Sequence, residues 1–408
     1  MSPNLPFDII ALIIDIIGEN KETDLLKILA LVSHSFHQIC SKYLFAIVDL
    51  HNANSGRSSS SRLASSKMGF VKLLKSRPDV VKYIRKLNYH LRIGYDDDRL
   101  LSPMLLNFLP TFSRLNSLTI TALNHDWNRL NPSLISAFLH IMHLPTIYNI
   151  NLSHIQNFPL SSLTQSVNLL RLDMHNLCRV SRLVEGAPPE IVLEMMPQIR
   201  RFHTAGSYRL TTKLLHAKMR DGRPAFNFMD LRRFSTSIRG FDDKQNLRYI
   251  LLKAKLLEKL DLSISYGQSI VGLLSPDART LKALDFSVSL CDGSSIYLGG
   301  ICEELEALAG HNMLETFKVR VEIDSGGSLS TEGSIGSVFQ KVENALAKPG
   351  WSALRRVSFK VPISGWNQEN ATKLCEALQS LPDKYLSHLS NLESVTFNYQ
   401  AYLRDCPR

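Results

Sequence analysis

Leu257-Glu258-Lys259-Leu260-Asp261-Leu262 and Leu281-Lys282-Ala283-Leu284-Asp285-Phe286 follow one pattern: apolar, two variable, apolar, one variable, apolar. Alternation with a period of two is the mark of a strand that buries one face. Toward the N-terminus the pattern returns at Leu231-Phe234-Thr236, Ile199-Phe202-Thr204, Leu169-Leu172-Met174, Ile147-Ile150-Leu152, Leu115-Leu118-Ile120 and Ile84-Leu87-Tyr89. Toward the C-terminus it returns at Leu314-Phe317-Val319, Leu354-Val357-Phe359 and Leu392-Val395-Phe397. One such match arises by chance, whereas eleven in series at a mean spacing of about 31 residues do not. Helical stretches such as 132–143, 243–255 and 299–309 separate the strands. Strands joined by crossovers of that length run parallel.

The repeated motif resembles the leucine-rich repeat over residues 84–408, although the asparagine or cysteine common after its third leucine is mostly missing. The fold class expected is α/β: a leucine-rich-repeat-like solenoid with one extended parallel sheet. A doubly wound α/β domain is the alternative, and no glycine-rich fingerprint supports it. With the apolar residues numbered 1, 4 and 6, alternation sends positions 4 and 6 into the core and positions 3, 5 and 7 to an open, concave face. Position 3 is rich in base: Lys86, Arg171, Arg201, Arg233, Lys259 and Arg356. His203 and Lys318 stand at position 5, and Arg320 and Lys360 at position 7. This stripe is the candidate substrate surface, suited to an acidic or phosphorylated protein segment because arginines engage oxyanions bidentately. The competing reading is a solvated face neutralised by Asp173, Asp261 and Asp285 at position 5. Aromatic side chains interleaved with base are sparse there, which argues against nucleic acid as the ligand. Residues 324–334 read as a loop inserted between two strands, placed to reach over a ligand.

The first fifty residues differ from the rest. They carry a formal charge of −3 against +13 for the remainder. Between Leu5 and Leu50, 27 of 46 residues are hydrophobic, more than three short helices can bury among themselves. The helices are expected from Phe7 to Ile17, with Gly18 closing the first; from Thr23 or Asp24; and from Ser33 or Ser35. Leu5-Pro6, then Asp24-Leu25-Leu26, then Leu31-Val32-Ser33-His34-Ser35-Phe36, in that order, resemble an F-box of the expanded fungal type. The late tryptophan that many F-boxes carry is absent, and Phe45 sits near its place. The resemblance implies binding to a Skp-type adaptor and through it to a cullin. The adaptor-binding residues would be Leu5, Pro6, Ile9, Ile10, Ile13, Ile14, Leu25, Leu26, Leu29, Val32 and Phe36. A purely structural cap on the chain's own body is the alternative.

The domains expected are thus an F-box at 1–50, a Ser-rich linker at 51–66 and a repeat body at 67–408. The function expected is substrate recognition in a cullin–RING (SCF-type) ubiquitin ligase. A repeat-protein scaffold or inhibitor with no ubiquitin role and a basic nucleic-acid binder are the alternatives. No phosphate loop, GxGxxG, HExxH or GxSxG motif occurs, so no catalysis, cofactor or metal is expected. The six cysteines are dispersed and suit a reducing compartment, cytoplasmic or nuclear. No apolar run reaches membrane-span length, and the run at 9–17 lacks a basic flank for a signal peptide.

Overall fold

Behind Pro6 the apolar run winds into α1 (Phe7–Glu19), followed by α2 (Thr23–Ala30) and α3 (His34–Leu44), the three helices expected. Ser33 caps α3, its hydroxyl accepting the Phe36 N–H at 3.3 Å. The start of α2 differs from expectation: no side chain caps it, and Asp24 instead pairs with Lys27 at 2.9 Å within the first turn. Gly18 is not the terminator of α1 either. It lies inside the last turn, where a Cβ would stand 2.4–2.6 Å from the ring of Tyr43 on α3. The glycine is there for close helix approach, and Lys42 clamps the same two helices through Asp15 at 2.7 Å. Gly18→Ala should therefore destabilise the helical module by about 1–3 kcal/mol despite alanine's better helix propensity, because Tyr43 must be displaced. Thermal unfolding of the full chain checks this, and an unchanged or raised midpoint would refute the packing argument.

The computed structural model describes residues 6–50, 67–91, 103, 106–107, 111–177, 196–219, 221–265, 268–274, 280–290, 300–310, 312–324, 331–364 and 368–404. Leu5, the Ser-rich stretch 51–66, the loop residues 325–330 and Cys178, Cys291 and Cys406 fall outside them. The chain divides into two units, Met1–Pro197 and Gln198–Arg408.

In the first unit five strands follow in chain order: β1 (Ile47–Leu50), β2 (Lys86–His90), β3 (Ser117–Asp126), β4 (Asn149–Gln156) and β5 (Arg171–His175), each parallel to the next. The second unit holds seven more: β6 (Arg201–Ala205), β7 (Arg233–Ile238), β8 (Lys259–Ile264), β9 (Ala283–Leu290), β10 (Thr316–Asp324), β11 (Arg356–Ser364) and β12 (Thr396–Leu403), again parallel in strict chain order. Crossover helices include α4 (Lys67–Ser76) and α5 (Pro132–Met142) in the first unit. The second has α6 (Tyr208–His216), α7 (Phe241–Lys253), α8 (Ile301–Leu308), α9 (Thr331–Ala347) and α10 (Gln368–Gln379). Because α9 begins at Thr331, the expected 324–334 loop does not extend through its last residues.

Alternation works as the motif requires. Leu118, Ile150 and Leu172 form one cross-strand row, and Phe202, Phe234, Leu260, Leu284, Phe317 and Val357 another; none is more than 1 % exposed. Helices cover this side: Phe138 of α5 meets Tyr89 edge-on at 4.9 Å, and Phe339 of α9 meets Phe359 at the same distance. Register is set at the starts of β2 to β5 and β7 to β11 by a shared acceptor. The carbonyl of Glu258 receives the N–H groups of Lys282 and Ala283, that of Lys282 those of Glu315 and Thr316, and that of Glu315 those of Arg355 and Arg356. The first unit does the same: the Ala46 carbonyl takes Arg85 and Lys86, and the Arg85 carbonyl takes Asn116 and Ser117. Buried glutamates then fix the crossovers. Glu304 of α8 accepts the N–H groups of Leu273 (3.1 Å) and Leu274 (2.6 Å), and Glu343 of α9 those of His388 (2.8 Å) and Leu389 (3.1 Å).

Two corrections to the motif count follow. In β12 the pairing is Val357↔Phe397 and Phe359↔Tyr399, so the eleventh motif is displaced by two residues from Leu392-Val395-Phe397. Both frames alternate apolar and polar residues, and pairing with β11 selects the later one. Position 3 there is Thr396, not Ser394. A twelfth copy lies at Phe45-Val48-Leu50, with Val48 and Leu50 buried and paired to Leu87 and Tyr89.

Candidate functional site

Two surfaces stand out, and they are chemically opposite. The first is apolar and lies on the three-helix module. Its core is small: Ile14, Leu26 and Cys40, with Ile10, Leu29 and Phe36 half-buried around them. Ile14 and Leu26, expected at the adaptor interface, are thus inside the module and offer no surface. Pro6, Ile9, Ile13, Leu25 and Val32 are exposed as expected. So are Phe7, Leu12, Ile16, Ile28 and Leu31, with Leu31 at 87 % and Leu12 at 60 %. The sequence reading missed these five. A helix apolar on nearly all sides does not declare which stripe is core, and only packing of α2 and α3 against Ile14 decides it. Ten large apolar or proline side chains left in water on one small module exceed the scattered singles of an ordinary surface.

The second surface is the open face of the strands, and the basic stripe on it is partly quenched. In the first unit Lys86 is half-buried, and Arg171 is held by Asp173 two residues on, with Nη2 to Oδ2 at 2.9 Å and Nε donating at 3.0 Å. In the second unit Lys259 lies between Asp261 (3.2 Å) and Asp285 (2.9 Å). Arg320 pairs with Glu322 at 2.8 Å. Four successive free charges are therefore not what the structure presents. Arg201 and Arg233 are paired in register, exposed, and without an ion-pair partner among the described residues, as are Lys318, Arg356 and Lys360. His203 is half-buried beside Arg201. The R-x-D spacing of Arg171/Asp173 and the K-x-D spacing of Lys259/Asp261 put each pair on one strand face, so this quenching was legible in the alternation. The bridge from Lys259 to Asp285 needed the cross-strand register.

On this face of the second unit a groove of about 290 Å3 opens across β7 to β11. Across the strands the register runs Ser235, Asp261, Asp285, Lys318 and Ser358 in one row and Ser263, Ser287, Arg320 and Lys360 in the next, so the carboxylates lie toward β8 and β9 and the bases toward β10 and β11. Burial, reinforced by a hydrogen bond to Asp285 and by its charge, raises the Asp261 carboxyl to about 6 against the pull of Lys259. Two carboxylates on neighbouring strands hold a proton more readily than either would alone. Burial works against the Lys259 ammonium, but the two aspartates outweigh it and its pKa rises. Lys259 thus offsets much of the acid end, while Lys318 and Lys360 at the other end stand unpaired among the described residues.

No protein-family model and no curated protein sequence matches this chain. No helix among the described residues is long and apolar enough to cross a membrane. Among those residues no cluster of three or more His, Cys, Asp or Glu is arranged to hold a metal ion. What the two surfaces offer chemically is an apolar face that the module's own core leaves uncovered, and a polar groove lined by both signs of charge.

Proposed function

We propose that this chain is the substrate-recognition subunit of a cullin–RING, SCF-type ubiquitin ligase, an F-box joined to irregular leucine-rich repeats. In this reading the three-helix module binds a Skp-type adaptor, and through it a cullin, while the open face of the strands takes a protein substrate. The observation that carries it is the set of apolar side chains from Phe7, Ile9, Leu12, Ile13 and Ile16 through Leu25, Ile28, Leu31 and Val32 that the module's own core leaves uncovered. Such a face calls for a partner's apolar surface. The order of Leu5-Pro6, Asp24-Leu25-Leu26 and Leu31 to Phe36 supplies the identity of that partner by resemblance.

Co-expression of the full chain with a Skp adaptor should give a stoichiometric complex stable through gel filtration. A chain that elutes alone would favour a repeat-protein scaffold or inhibitor outside the ubiquitin system, since that reading uses the open face only. Affinity for nucleic acid that falls steeply with salt would favour the basic binder instead.

A further inference from the structure

At β12 the inward row that is sealed on the strand before it comes open. On β11 Val357, Phe359, Val361 and Ile363 are at most 1 % exposed, whereas their register partners Phe397, Tyr399 and Ala401 are half-buried and Leu403 is exposed. The backbone is open in the same place. The N–H groups of Thr396 and Arg404 donate back to the Arg355 and Ile363 carbonyls, at 2.7 and 2.9 Å. A residue in a parallel strand directs its N–H and C=O to one side, and the next residue directs its own to the other. The outward groups of β12 are therefore those of Phe397, Tyr399, Ala401 and Leu403, and no strand among the described residues pairs with them. Sheet edges are commonly blunted by charge, proline, a bulge or shortness. β12 uses none of these: it runs eight residues with no charged side chain, no proline and an unbroken register against β11. An open hollow of about 660 Å3 lies beside it, lined by Gln379 and Pro382 from the helical side and by Tyr399, Gln400, Ala401 and Tyr402 of the strand itself.

We propose that this edge pairs with the same edge of a second copy of the chain, antiparallel about a two-fold axis at Gln400. In that register Phe397 of one copy stands opposite Leu403 of the other, and Tyr399 opposite Ala401. These are the residues with outward groups, so each opposed pair exchanges two N–H···O bonds and every open donor and acceptor of β12 is used. On the inward side apolar residues meet apolar residues, which completes the row that β12 leaves half-open. On the open side Asn398 meets Tyr402 and Gln400 meets its own counterpart, so no like charges are set opposite one another. Reversing the strand leaves this sorting unchanged, as an isologous interface requires. Head-to-tail stacking is a poorer match, because β1 offers four residues and Asp49 is one of them. A strand from another protein would meet the same backbone groups, but β12 presents no charge to select one. The inference goes beyond the adaptor reading and uses no part of the three-helix module.

The test is sedimentation velocity of the full chain over about 1 to 100 μM, the range suited to an interface built on one strand pair. A dimer should grow in as concentration rises. Ala401→Pro deletes an outward N–H and no bond to β11, so the fold should stand while the dimer weakens by at least about 10-fold, from one lost hydrogen bond per copy and the bulk of the ring. Circular dichroism checks the fold. The register has a separate test in a milder variant. Gln400→Cys under gentle oxidation should give a disulfide-linked dimer, because residues on the axis form a non-hydrogen-bonded pair with Cα atoms about 4.5 Å apart. Thr396→Cys should not, since its two copies lie about 26 Å apart along the paired strands. Peptide mapping of the linked product separates this disulfide from any formed by the native cysteines. Should Ala401→Pro misfold, cross-linking at position 400 decides alone. A chain monomeric throughout the range would overturn the inference. So would a dimer that a folded Ala401→Pro chain keeps, such as one through the apolar face of α1, and so would cross-linking at position 400 that is absent or no greater than at position 396.

Discussion

Ile13→Asp is expected to lower the affinity of the chain for a Skp adaptor by at least about 100-fold while leaving the chain folded. Ile13 is 45 % exposed on α1 and lies outside the module's core of Ile14, Leu26 and Cys40. In the free chain the new carboxylate meets water, so the change in stability should stay within about 0.5 kcal/mol. In the complex it would be pressed, unpaired, into an apolar interface, at a cost of several kcal/mol. Ile14→Asp is the informative contrast, because Ile14 is buried and the same carboxylate there should unfold the module itself. Pull-down of purified adaptor, with circular dichroism on each variant, reads both effects. Undiminished capture by a folded Ile13→Asp chain would show that the apolar face of α1 is not the adaptor surface.

Phe317→Ala should remove about 3–5 kcal/mol from the stability of the second unit. Phe317 is fully buried on β10, between Leu284 of β9 and Val357 of β11 in register, and touches the Phe286 ring edge-on at 6.0 Å. The strands on either side are locked by their shared carbonyl acceptors, so the lining has little freedom to collapse into the void. Its sequence neighbour provides the control: Lys318 points to the opposite, open face, and Lys318→Ala should change stability by no more than about 0.5 kcal/mol. Denaturant unfolding of the two variants separates them. Similar midpoints would mean that the alternation does not sort these residues between core and solvent.

That sorting is the part of the molecule most legible in the sequence. Period-two alternation is a local property, and it locates ten of the twelve strands in their observed frames. It slips at Leu392-Val395-Phe397 because Val395-Phe397-Tyr399 alternates equally well, and only the partner strand chooses between frames. It passes over Phe45-Val48-Leu50 because Phe45 reads with the helices before it. The apolar surplus of the first fifty residues is legible as a quantity. Its division between Ile14 inside and Ile13 outside is not, since adjacent isoleucines on a helix apolar all round carry no label of direction. Charge behaves similarly: the base at position 3 can be counted, but the neutralisation of Lys259 by Asp285 depends on a neighbour 26 residues away.

The shared acceptor at the starts of β2 to β5 and β7 to β11, one carbonyl receiving two N–H groups from the next strand, separates two kinds of change. The step from one motif to the next ranges from 22 residues, Ile147 to Leu169, to 40, Leu314 to Leu354, yet the pairing at the starts of β5 and β11, which follow those two crossovers, is the same. An insertion or deletion in a crossover is therefore absorbed on the helical side without sliding the next strand along its neighbour. The side chains of the open face keep their addresses. Length can vary freely on one side of each unit while single substitutions rewrite what the other side recognises, so the two sides are free to evolve on separate clocks.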